Sequence, residues 1–220
     1  MDKHNIQEYI KKRTFSFFEI QSELESYAQQ YHIPIISRDS LDLLIGIIKI
    51  KKPQKILEFG TAIGYSTIAM ATQADPSSKI ISFERDVIRY REAQKNIDKM
   101  GMQDRIVVYN QDVLTDHEIL QDQIFDLVFI DAAKGQYRAF FDLIFDKVSP
   151  GGVIISDNIF HKGMIVEETA SSVDKRYRTI YKRMNEYIDH LKSENDDFFT
   201  TLVPIGDGIA ITYKYRKEVE

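Results

Sequence analysis

Two segments near the start of the chain place hydrophobic residues at helical spacing. The first covers about residues 16–31, and its apolar side consists of Phe17, Ile20, Leu24, Tyr27, Ala28 and Tyr31. The second follows Asp39, and its apolar side consists of Leu41, Leu44, Ile45 and Ile48. Steps of three and four residues are typical of one face of an α-helix. The pattern therefore predicts two amphipathic helices ahead of the main fold.

From Lys55 onwards, short β-rich runs alternate with helical stretches. The runs are KILEF, KIISFE, RIVVYN, FDLVFID and GVIISDN, with Pro53 before the first and Pro150-Gly151-Gly152 at the entry to the fifth. This alternation is typical of a parallel sheet covered by helices, because parallel neighbours need a long crossover connection. The sequence predicts five parallel strands in this part of the chain.

The C-terminal part follows a different pattern. A long helix is predicted after Ser171, and its apolar side consists of Val173, Tyr177, Ile180, Tyr181, Met184, Ile188 and Leu191. FFTTLVPI and GIAITYKY then flank Gly206-Asp207-Gly208, and two strands around so short a turn predict an antiparallel hairpin. The complete pattern predicts an α/β, Rossmann-like fold. We expect a seven-stranded, mostly parallel sheet with a C-terminal antiparallel hairpin and helices on both faces.

Composition narrows the class of protein. The 220 residues, 43% of them hydrophobic, suffice for one substantial core, so we expect a single domain over residues 1–220. Within it, N-terminal helices in residues 1–52 would pack on an α/β core in residues 53–220. The start of the chain, MDKHNIQEYIKKR, is charged, and no apolar run is long enough to span a bilayer, which predicts a cytoplasmic protein with no membrane partner. The absence of cysteine excludes disulfides and cysteine-based zinc sites.

A glycine-containing bend joins the first predicted strand to the helix that follows it. Residues 58–66, EFGTAIGYS, have the spacing Gly-x-x-x-Gly, which lets the backbone approach a ligand at the carboxyl edge of the sheet. A dinucleotide site would instead need G-x-G-x-x-G for the pyrophosphate, so an NAD-dependent oxidoreductase is disfavoured. Glu58 could hold an amino or sulfonium group just before the bend.

Acidic residues also follow the second and third predicted strands. Glu84 could accept hydrogen bonds from ribose hydroxyls, and Asp112 could meet the amino group of adenine. Any one of these acids could simply end a strand. Three acids and a glycine bend at successive strand ends favour a nucleoside-binding site.

Carboxylate, amide and amine groups follow the fourth and fifth strands. Asp131 begins the segment Asp-Ala-Ala-Lys134, and Asp157-Asn158 ends the fifth strand. Oxygen ligands of this kind suit magnesium, calcium or manganese. Lys134 could act as a base, because a nearby divalent cation lowers the pKa of an amine. The simpler alternatives are an Asp-Asn pair that caps a turn and a solvated lysine. Among the histidines His161 is nearest, and none has metal-ligand spacing.

Five motifs occur in the order found in the metal-dependent O-methyltransferases, the family that includes caffeoyl-CoA and catechol O-methyltransferases. They are EFGTAIGYS, DAAKGQY, SPGGVIISDN, the helix with Arg176-Tyr177-Arg178 and Met184-Asn185, and LVPIGDGIAI. The chain resembles this family over nearly everything from Ile33 to Tyr213. The resemblance implies a class I methyltransferase that uses S-adenosylmethionine as methyl donor, and it suggests a homodimer.

The resemblance also implies roles for individual residues. Metal ligands would be Asp131, Asp157 and Asn158, holding Mg²⁺ or another divalent cation such as Mn²⁺ or Ca²⁺. Lys134 would be the catalytic base, with Asp131 as the second catalytic residue. Contacts to S-adenosylmethionine would come from Ile36, Glu58, Gly60, Ser66, Glu84, Asp112, Val113 and Asp131, with Ile36 binding the methionine part through its backbone.

The methyl acceptor is the most open point. With Ala-Ala between the acid and the lysine, DAAKGQYRAFFD looks more like the bacterial branch that methylates 5-hydroxyuridine in transfer RNA than like the plant enzymes. We therefore expect transfer RNA as substrate, modified at the wobble position of the anticodon to 5-methoxyuridine. Small catechol-like or phenolic acceptors are the alternative, since both classes offer two neighbouring oxygens to a metal. A non-catalytic nucleoside- or RNA-binding module is a further alternative from another class.

Basic residues provide a possible surface for RNA. The formal net charge of -5 argues against nucleic-acid binding through the overall field but allows a local patch. On the predicted C-terminal helix, Lys175, Arg178 and Lys182 lie away from the apolar side, while Glu186 and Asp189 share part of that face. Further cations near the two ends are Lys11, Lys12, Arg13, Lys214, Arg216 and Lys217. A solvated helix surface is the simpler interpretation.

Overall fold

The computed structural model describes Tyr9, Arg13, residues 15–167 and residues 169–216. The predicted cations Lys11, Lys12 and Lys217 lie outside the described residues. The chain forms two compact units, of which the first comprises Met1–Gln54 with Thr61–Asn110 and the second comprises Lys55–Gly60 with Gln111–Glu220. One domain with an N-terminal helical part stays a prediction. Among the described residues, no helix is both long enough and apolar enough to cross a lipid bilayer.

Helices and strands alternate along the described residues. In chain order the elements are α1 (Gln21–Gln30), α2 (Arg38–Lys51), β1 (Lys55–Phe59), α3 (Tyr65–Gln73), β2 (Lys79–Phe83), α4 (Val87–Lys99), β3 (Ile106–Tyr109), β4 (Phe125–Ile130), α5 (Tyr137–Ile144), β5 (Val148–Ser156), α6 (Arg178–Lys192), β6 (Phe198–Val203) and β7 (Ile209–Lys214). Short 3₁₀ turns connect several of them. The five predicted β-rich runs and the hairpin strands all correspond to strands.

The strands form one seven-stranded sheet in the order β3-β2-β1-β4-β5-β7-β6. β2 and β3 are parallel, and so are the neighbours β1, β4 and β5. β7 runs antiparallel to both β5 and β6, which makes the C-terminal hairpin. The predicted fold class is confirmed. Because parallel strands share the direction of their carboxyl ends, residues that follow β4 and β5 lie at one edge of the second unit.

Two helix starts in the first unit differ from the prediction. α1 begins at Gln21 rather than near Ser16, because the side-chain oxygen of Gln21 accepts a hydrogen bond from the backbone of Phe17 (2.6 Å) and holds the preceding residues in a turn. α2 begins at Arg38, ahead of Asp39. Ser37 caps it, since its hydroxyl accepts a hydrogen bond from the backbone of Ser40 (3.3 Å).

Two features of the second unit also differ from the prediction. β5 already begins at Val148, so Pro150-Gly151-Gly152 lies within the strand, where the register with β4 shifts as at a β-bulge. α6 begins at Arg178 rather than after Ser171. A 3₁₀ turn precedes it, and Asp174 caps that turn by accepting a hydrogen bond from the backbone of Arg176 (3.1 Å).

The buried side of α6 is narrower than the predicted apolar side. It consists of Met184, Tyr187 and Leu191, whereas Ile180, Tyr181 and Ile188 are only half-buried. Tyr187 was absent from the predicted set, but its ring is fully buried and its hydroxyl shares a hydrogen bond with that of Ser156 in β5 (2.7 Å). A buried tyrosine that satisfies its hydroxyl anchors a helix strongly. This contact fixes α6 beside the end of β5.

Candidate active site

Two carboxylates are placed by the backbone of the parallel strands. Asp131 comes directly after β4, and its N–H donates to the carbonyl of Phe59 in β1 (2.9 Å). Asp157 comes directly after β5, and its N–H donates to the carbonyl of Ile130 in β4 (3.0 Å). The sheet hydrogen bonds thus continue one residue past each strand. Both acids therefore have a position fixed by the sheet.

Asn158 joins these two carboxylates. Its backbone N–H donates to Oδ1 of Asp157 (2.8 Å), and its side-chain Nδ2 donates to Oδ1 of Asp131 (3.0 Å). The residue adopts a left-handed backbone (φ 58°), and the hydroxyl of Tyr137 holds the preceding carbonyl of Asp157 (2.8 Å). The structure thus brings the three predicted metal ligands together in the second unit.

The carboxylates of this cluster are buried close to one another, which disfavours their charged forms. Asp157 is 1% exposed, and burial together with the nearby charge of Asp131 raises its pKa to about 7. Burial also raises the pKa of Asp131, against the opposing effects of Lys134 and Asn158. The pKa of Lys134 is lowered by burial, although the charges of Asp131, Asp157 and Asp207 act against this. A cation would relieve the repulsion between the two carboxylates.

The chemistry of the donor atoms allows a test of the predicted metal site. Within the described residues, no three His, Cys, Asp or Glu side chains are grouped so that they could hold a metal ion. Asp131, Asp157 and Asn158 supply two carboxylates and one amide oxygen, which are hard ligands suited to Mg²⁺, Mn²⁺ or Ca²⁺. The crowded negative charge fits a divalent cation. Other ligands would have to come from water or from the acceptor.

The loop after Asn158 is held by the turn between β6 and β7. Asp207 accepts two hydrogen bonds from this loop, one from the N–H of Phe160 to its carbonyl (2.9 Å) and one from the N–H of Lys162 to its Oδ1 (2.6 Å). Gly208 completes the contact, since a Cβ on it would overlap the ring of Phe160. Asp207 also contributes negative charge near Lys134, which sequence analysis missed by treating Gly206-Asp207-Gly208 only as a hairpin turn. The sequence did contain a signal for this role, because Asp207 is an acid within the motif LVPIGDGIAI.

The bend before α3 is organised within the first unit by a carboxylate. Ala62 and Gly64 both adopt left-handed backbone conformations, with φ of 48° and 84°. Glu84, which follows β2 and is 7% exposed, accepts a hydrogen bond from the N–H of Ala62 on Oε2 (2.9 Å) and one from the N–H of Asp86 on Oε1 (2.9 Å). Each carboxylate oxygen keeps a second lone pair, which is available for a ribose hydroxyl. The arrangement is compatible with the predicted role of Glu84.

The other predicted cofactor contacts lie in both units. In the first unit, Ile36 precedes the cap of α2 and Ser66 lies in the first turn of α3, and both are buried. In the second unit, Glu58 is fully buried within β1. Gly60 has φ 101°, and a Cβ there would overlap the carbonyl oxygen of Asp131, so only glycine allows this approach of the backbone.

Asp112 and Val113 follow β3 and belong to the second unit. Val113 is buried, whereas Asp112 is half-buried. Oδ1 of Asp112 accepts a hydrogen bond from the N–H of Leu114 (3.1 Å), so the side chain also caps a turn. Its predicted role toward adenine stays a prediction.

Comparison with known proteins gives the family. The family described as O-methyltransferase matches residues 14–215 of this chain. The chain belongs to this family. Among relatives, a catechol O-methyltransferase from Niastella koreensis is 32% identical over 124 residues, and one from Mycobacterium tuberculosis is 31% identical over 147 residues. These alignments cover 54% and 67% of this chain but only 55% and 66% of the two relatives.

Solved structures agree with the fold of the O-methyltransferase family. A caffeoyl-CoA O-methyltransferase-like protein from Staphylococcus aureus has a TM-score of 0.85 and 26% identity, covering 96% of this chain and 98% of that chain. A methyltransferase from Podospora anserina, bound to S-adenosylhomocysteine, has a TM-score of 0.84 and 22% identity, covering 97% and 95%. The second likeness supports the fold alone.

Proposed function

We propose that this chain transfers a methyl group from S-adenosylmethionine to a hydroxyl of a small catechol-like acceptor, with the help of a divalent metal ion. The observation that carries the proposal is the convergence of Asp131, Asp157 and Asn158, with the charge of Lys134 acting on both carboxylates. Membership of the O-methyltransferase family supports the reaction class. The catechol O-methyltransferases among its relatives support the acceptor class.

Each residue has a distinct part in the proposed reaction. S-adenosylmethionine, when bound, supplies an electrophilic methyl group. A divalent ion held by Asp131, Asp157 and Asn158 would make an acceptor hydroxyl more acidic and hold two neighbouring oxygens. Lys134 takes the proton of that hydroxyl on Nζ, and burial favours its neutral form because the pKa is lowered. Glu84 binds the ribose, while Asp207 holds the loop that begins at Asn158.

The acceptor geometry provides the decisive experiment. Purified protein is incubated with S-adenosylmethionine and MgCl₂ together with catechol or, as a matched control, resorcinol, whose two hydroxyls are not adjacent. We expect methylation of catechol, little of resorcinol, and loss of turnover on addition of EDTA. Equal turnover of both diols, or full activity in EDTA, would contradict the metal-dependent proposal. A non-catalytic binding module predicts no turnover with any acceptor.

A second acceptor is favoured by a cluster of positive charge beside the site. Residues 175–183 contain no acid, and five of their side chains are exposed cations, namely Lys175, Arg176, Arg178, Lys182 and Arg183. We call these five residues the basic segment. Nη1 of Arg183 donates to the carbonyl of Gly135 (3.2 Å), directly after Lys134. A polyanion such as transfer RNA carrying 5-hydroxyuridine could bind here while its base reaches the acids.

One residue of the basic segment also holds the loop that precedes α6. Arg178 donates to the carbonyls of Val173 (3.1 Å) and Ser171 (3.2 Å), so replacing it would disturb the loop as well as the charge. The double variant Lys175→Glu/Lys182→Glu avoids this problem. It should weaken transfer RNA binding and flatten the salt dependence by a slope of roughly 0.7 to 0.9 per lost contact.

The RNA experiment needs a charge-matched control and a small acceptor. Lys52→Glu/Arg91→Glu changes the net charge equally at exposed positions of the first unit, far along the chain from the basic segment. If RNA is the substrate, the variant Lys175→Glu/Lys182→Glu loses RNA methylation while the control keeps it, and methylation of catechol stays the same in both. Unchanged RNA affinity in Lys175→Glu/Lys182→Glu would remove the basic segment from the binding surface. The family resemblance also leads us to propose a homodimer, which light scattering would test by giving twice the mass of the chain.

A further inference from the structure

One carboxylate in the first unit joins the starts of two helices. Glu25, on α1, accepts hydrogen bonds from Nε of Arg38 on Oε1 (2.9 Å) and from Nη2 on Oε2 (2.6 Å). Its Oε1 also accepts a hydrogen bond from the hydroxyl of Tyr65 (2.5 Å). Arg38 is the first residue of α2, and Tyr65 is the first residue of α3. The forked pair with arginine is the stronger type of charge-assisted contact.

A buried glutamine completes the network around this carboxylate. Nε2 of Gln21 donates to the hydroxyl of Tyr65 (3.0 Å) and to Oε1 of Glu25 (3.2 Å). Gln21 and Tyr65 are each 1% exposed. Burial alone would raise the pKa of Glu25, but hydrogen bonds from Arg38, Tyr65 and Gln21 outweigh it and lower the pKa. The carboxylate is therefore ionised at neutral pH, and its partners are fixed by it.

The two helix starts flank residues with predicted cofactor contacts. Ile36 lies two residues before Arg38, and Ser66 directly follows Tyr65. Tyr65 also follows Gly64, the left-handed residue that ends the bend. Because α3 starts where this bend ends, the position of the Tyr65 hydroxyl sets where the bend lies within the first unit. A contact that holds both starts would set the spacing between the two segments.

We propose that Glu25 is a positioning residue for the methyl donor, holding the segment before α2 and the bend before α3 at the spacing that S-adenosylmethionine requires. The inference rests on the proposed function, since it takes the ligand of these segments to be the methyl donor. Glu25 acts through Arg38 and Tyr65 and does not itself touch the ligand. It therefore affects donor binding and leaves the acceptor side unchanged.

The experiment compares Glu25→Gln with a matched variant of the same helix. Glu23→Gln also removes one charge from α1, but Glu23 is exposed and pairs with Lys99 at the surface (2.6 Å). Calorimetry measures the dissociation constant of S-adenosylhomocysteine, and kinetics measure the KM of each substrate and kcat. Glu25→Gln should raise the dissociation constant and the KM for S-adenosylmethionine by about tenfold, the order expected for lost charge-assisted hydrogen bonds. The acceptor KM and kcat at saturating donor should change less than about twofold. Glu23→Gln should leave the dissociation constant, both KM values and kcat at the parental level.

A double variant distinguishes positioning from loss of stability. Tyr65→Phe removes the hydroxyl that Glu25 accepts from, so it should weaken donor binding as well, and combining it with Glu25→Gln should add less than the two separate effects. A lower melting temperature with an unchanged dissociation constant in Glu25→Gln would overturn the inference. Equal loss in donor and acceptor KM would overturn it too. If the parent protein does not bind S-adenosylhomocysteine, the proposed function fails together with the inference, whereas normal binding in the parent and in Glu25→Gln contradicts the inference alone.

Discussion

The carboxylate of Glu84 in the first unit and the acidic cluster of the second unit are stabilised in opposite ways. Both oxygens of Glu84 accept backbone N–H groups, so the protein itself satisfies this charge. Burial instead raises the pKa of both Asp131 and Asp157, the charge of Asp131 raises that of Asp157 further, and Lys134 offsets these effects only in part. The first arrangement is complete as folded, whereas the second gains from an added cation. The difference indicates that donor binding should tolerate metal removal and methyl transfer should not.

The largest effect is expected when the acidic cluster is disrupted. Asp157→Ala should lower kcat/KM for the acceptor by about 1000-fold, because it removes an anionic ligand from the proposed ion. Binding of S-adenosylhomocysteine, measured by calorimetry, should remain. Asp142→Ala is the control, since Asp142 is an exposed acid paired with Arg138 (2.8 Å). Near-normal turnover of Asp157→Ala would contradict the proposed role of the cluster.

A smaller loss of activity is expected when Lys134, the proposed base, is replaced. Lys134→Met should lower kcat by about 100-fold with little change in donor affinity, as expected when a general base is lost. Lys134→Arg serves as a sharper test, because arginine keeps the positive charge but does not release its proton near neutral pH. Both variants should therefore be similarly impaired in steady-state assays. Retained activity in Lys134→Arg would show that charge, not proton transfer, is what the site needs.

Replacing Glu84 in the first unit should weaken binding of the methyl donor rather than slow methyl transfer. Glu84→Ala should raise the dissociation constant of S-adenosylhomocysteine by about tenfold or more, because charged hydrogen bonds to ribose and to the bend are lost together. kcat at saturating donor should change much less, since ribose contacts are similar in the ground and transition states. Calorimetry that gives the parental affinity would refute the assignment of Glu84.

The smallest effect concerns the half-buried imidazole of His190, which lies outside both regions. His190 packs against Phe141 and Phe198, and its Nε2 has no hydrogen-bond partner among the described residues. Burial lowers its pKa below the usual 6.5, so the unfolded chain binds the proton more readily. The neutral ring therefore contributes stability above about pH 6.5. This contribution is lost as the pH falls from 6.5 toward the lower pKa of the folded state.

His190→Phe tests this pH dependence. The variant should reduce the fall in melting temperature between pH 7.5 and pH 5 by about 1–3 °C, the scale expected for a sub-kcal change in a chain of this size. Calorimetric melting curves at the two pH values provide the measurement. His117→Gln is the control, because His117 is exposed. An identical fall in the parent and in His190→Phe would rule out this imidazole as a source of acid sensitivity.

Periodicity predicted the elements well, and contacts between distant residues limited the rest. Lys55–Phe59 is found as predicted, because a continuous apolar run bounded by turn residues is a local signal. The start of α1 was misplaced, since the turn before it depends on the side chain of Gln21. The burial of Tyr187 was missed because its partner, Ser156, is 31 residues away.

The candidate site was predictable where it depends on strand ends. Asp131 and Asp157 directly follow β4 and β5, so the parallel sheet brings them to one edge. Asp207 could not be assigned in the same way, because it reaches the loop at Lys162 across 45 residues of sequence. The predicted roles of Ile36 and Val113 came from the family resemblance alone, because no spacing in the chain indicates them.

The hydrogen bonds between the β6–β7 hairpin and the loop after β5 have a consequence for the order of folding. β7 pairs with β5 as well as with β6, so the hairpin joins the sheet only after residues near position 214 are available. Until then, nothing that Asp207 contributes can hold Phe160 and Lys162. During synthesis Asp131 and Asp157 would therefore be placed at their strand ends before the loop beside them is held, and that loop would be held only after the hairpin has left the ribosome.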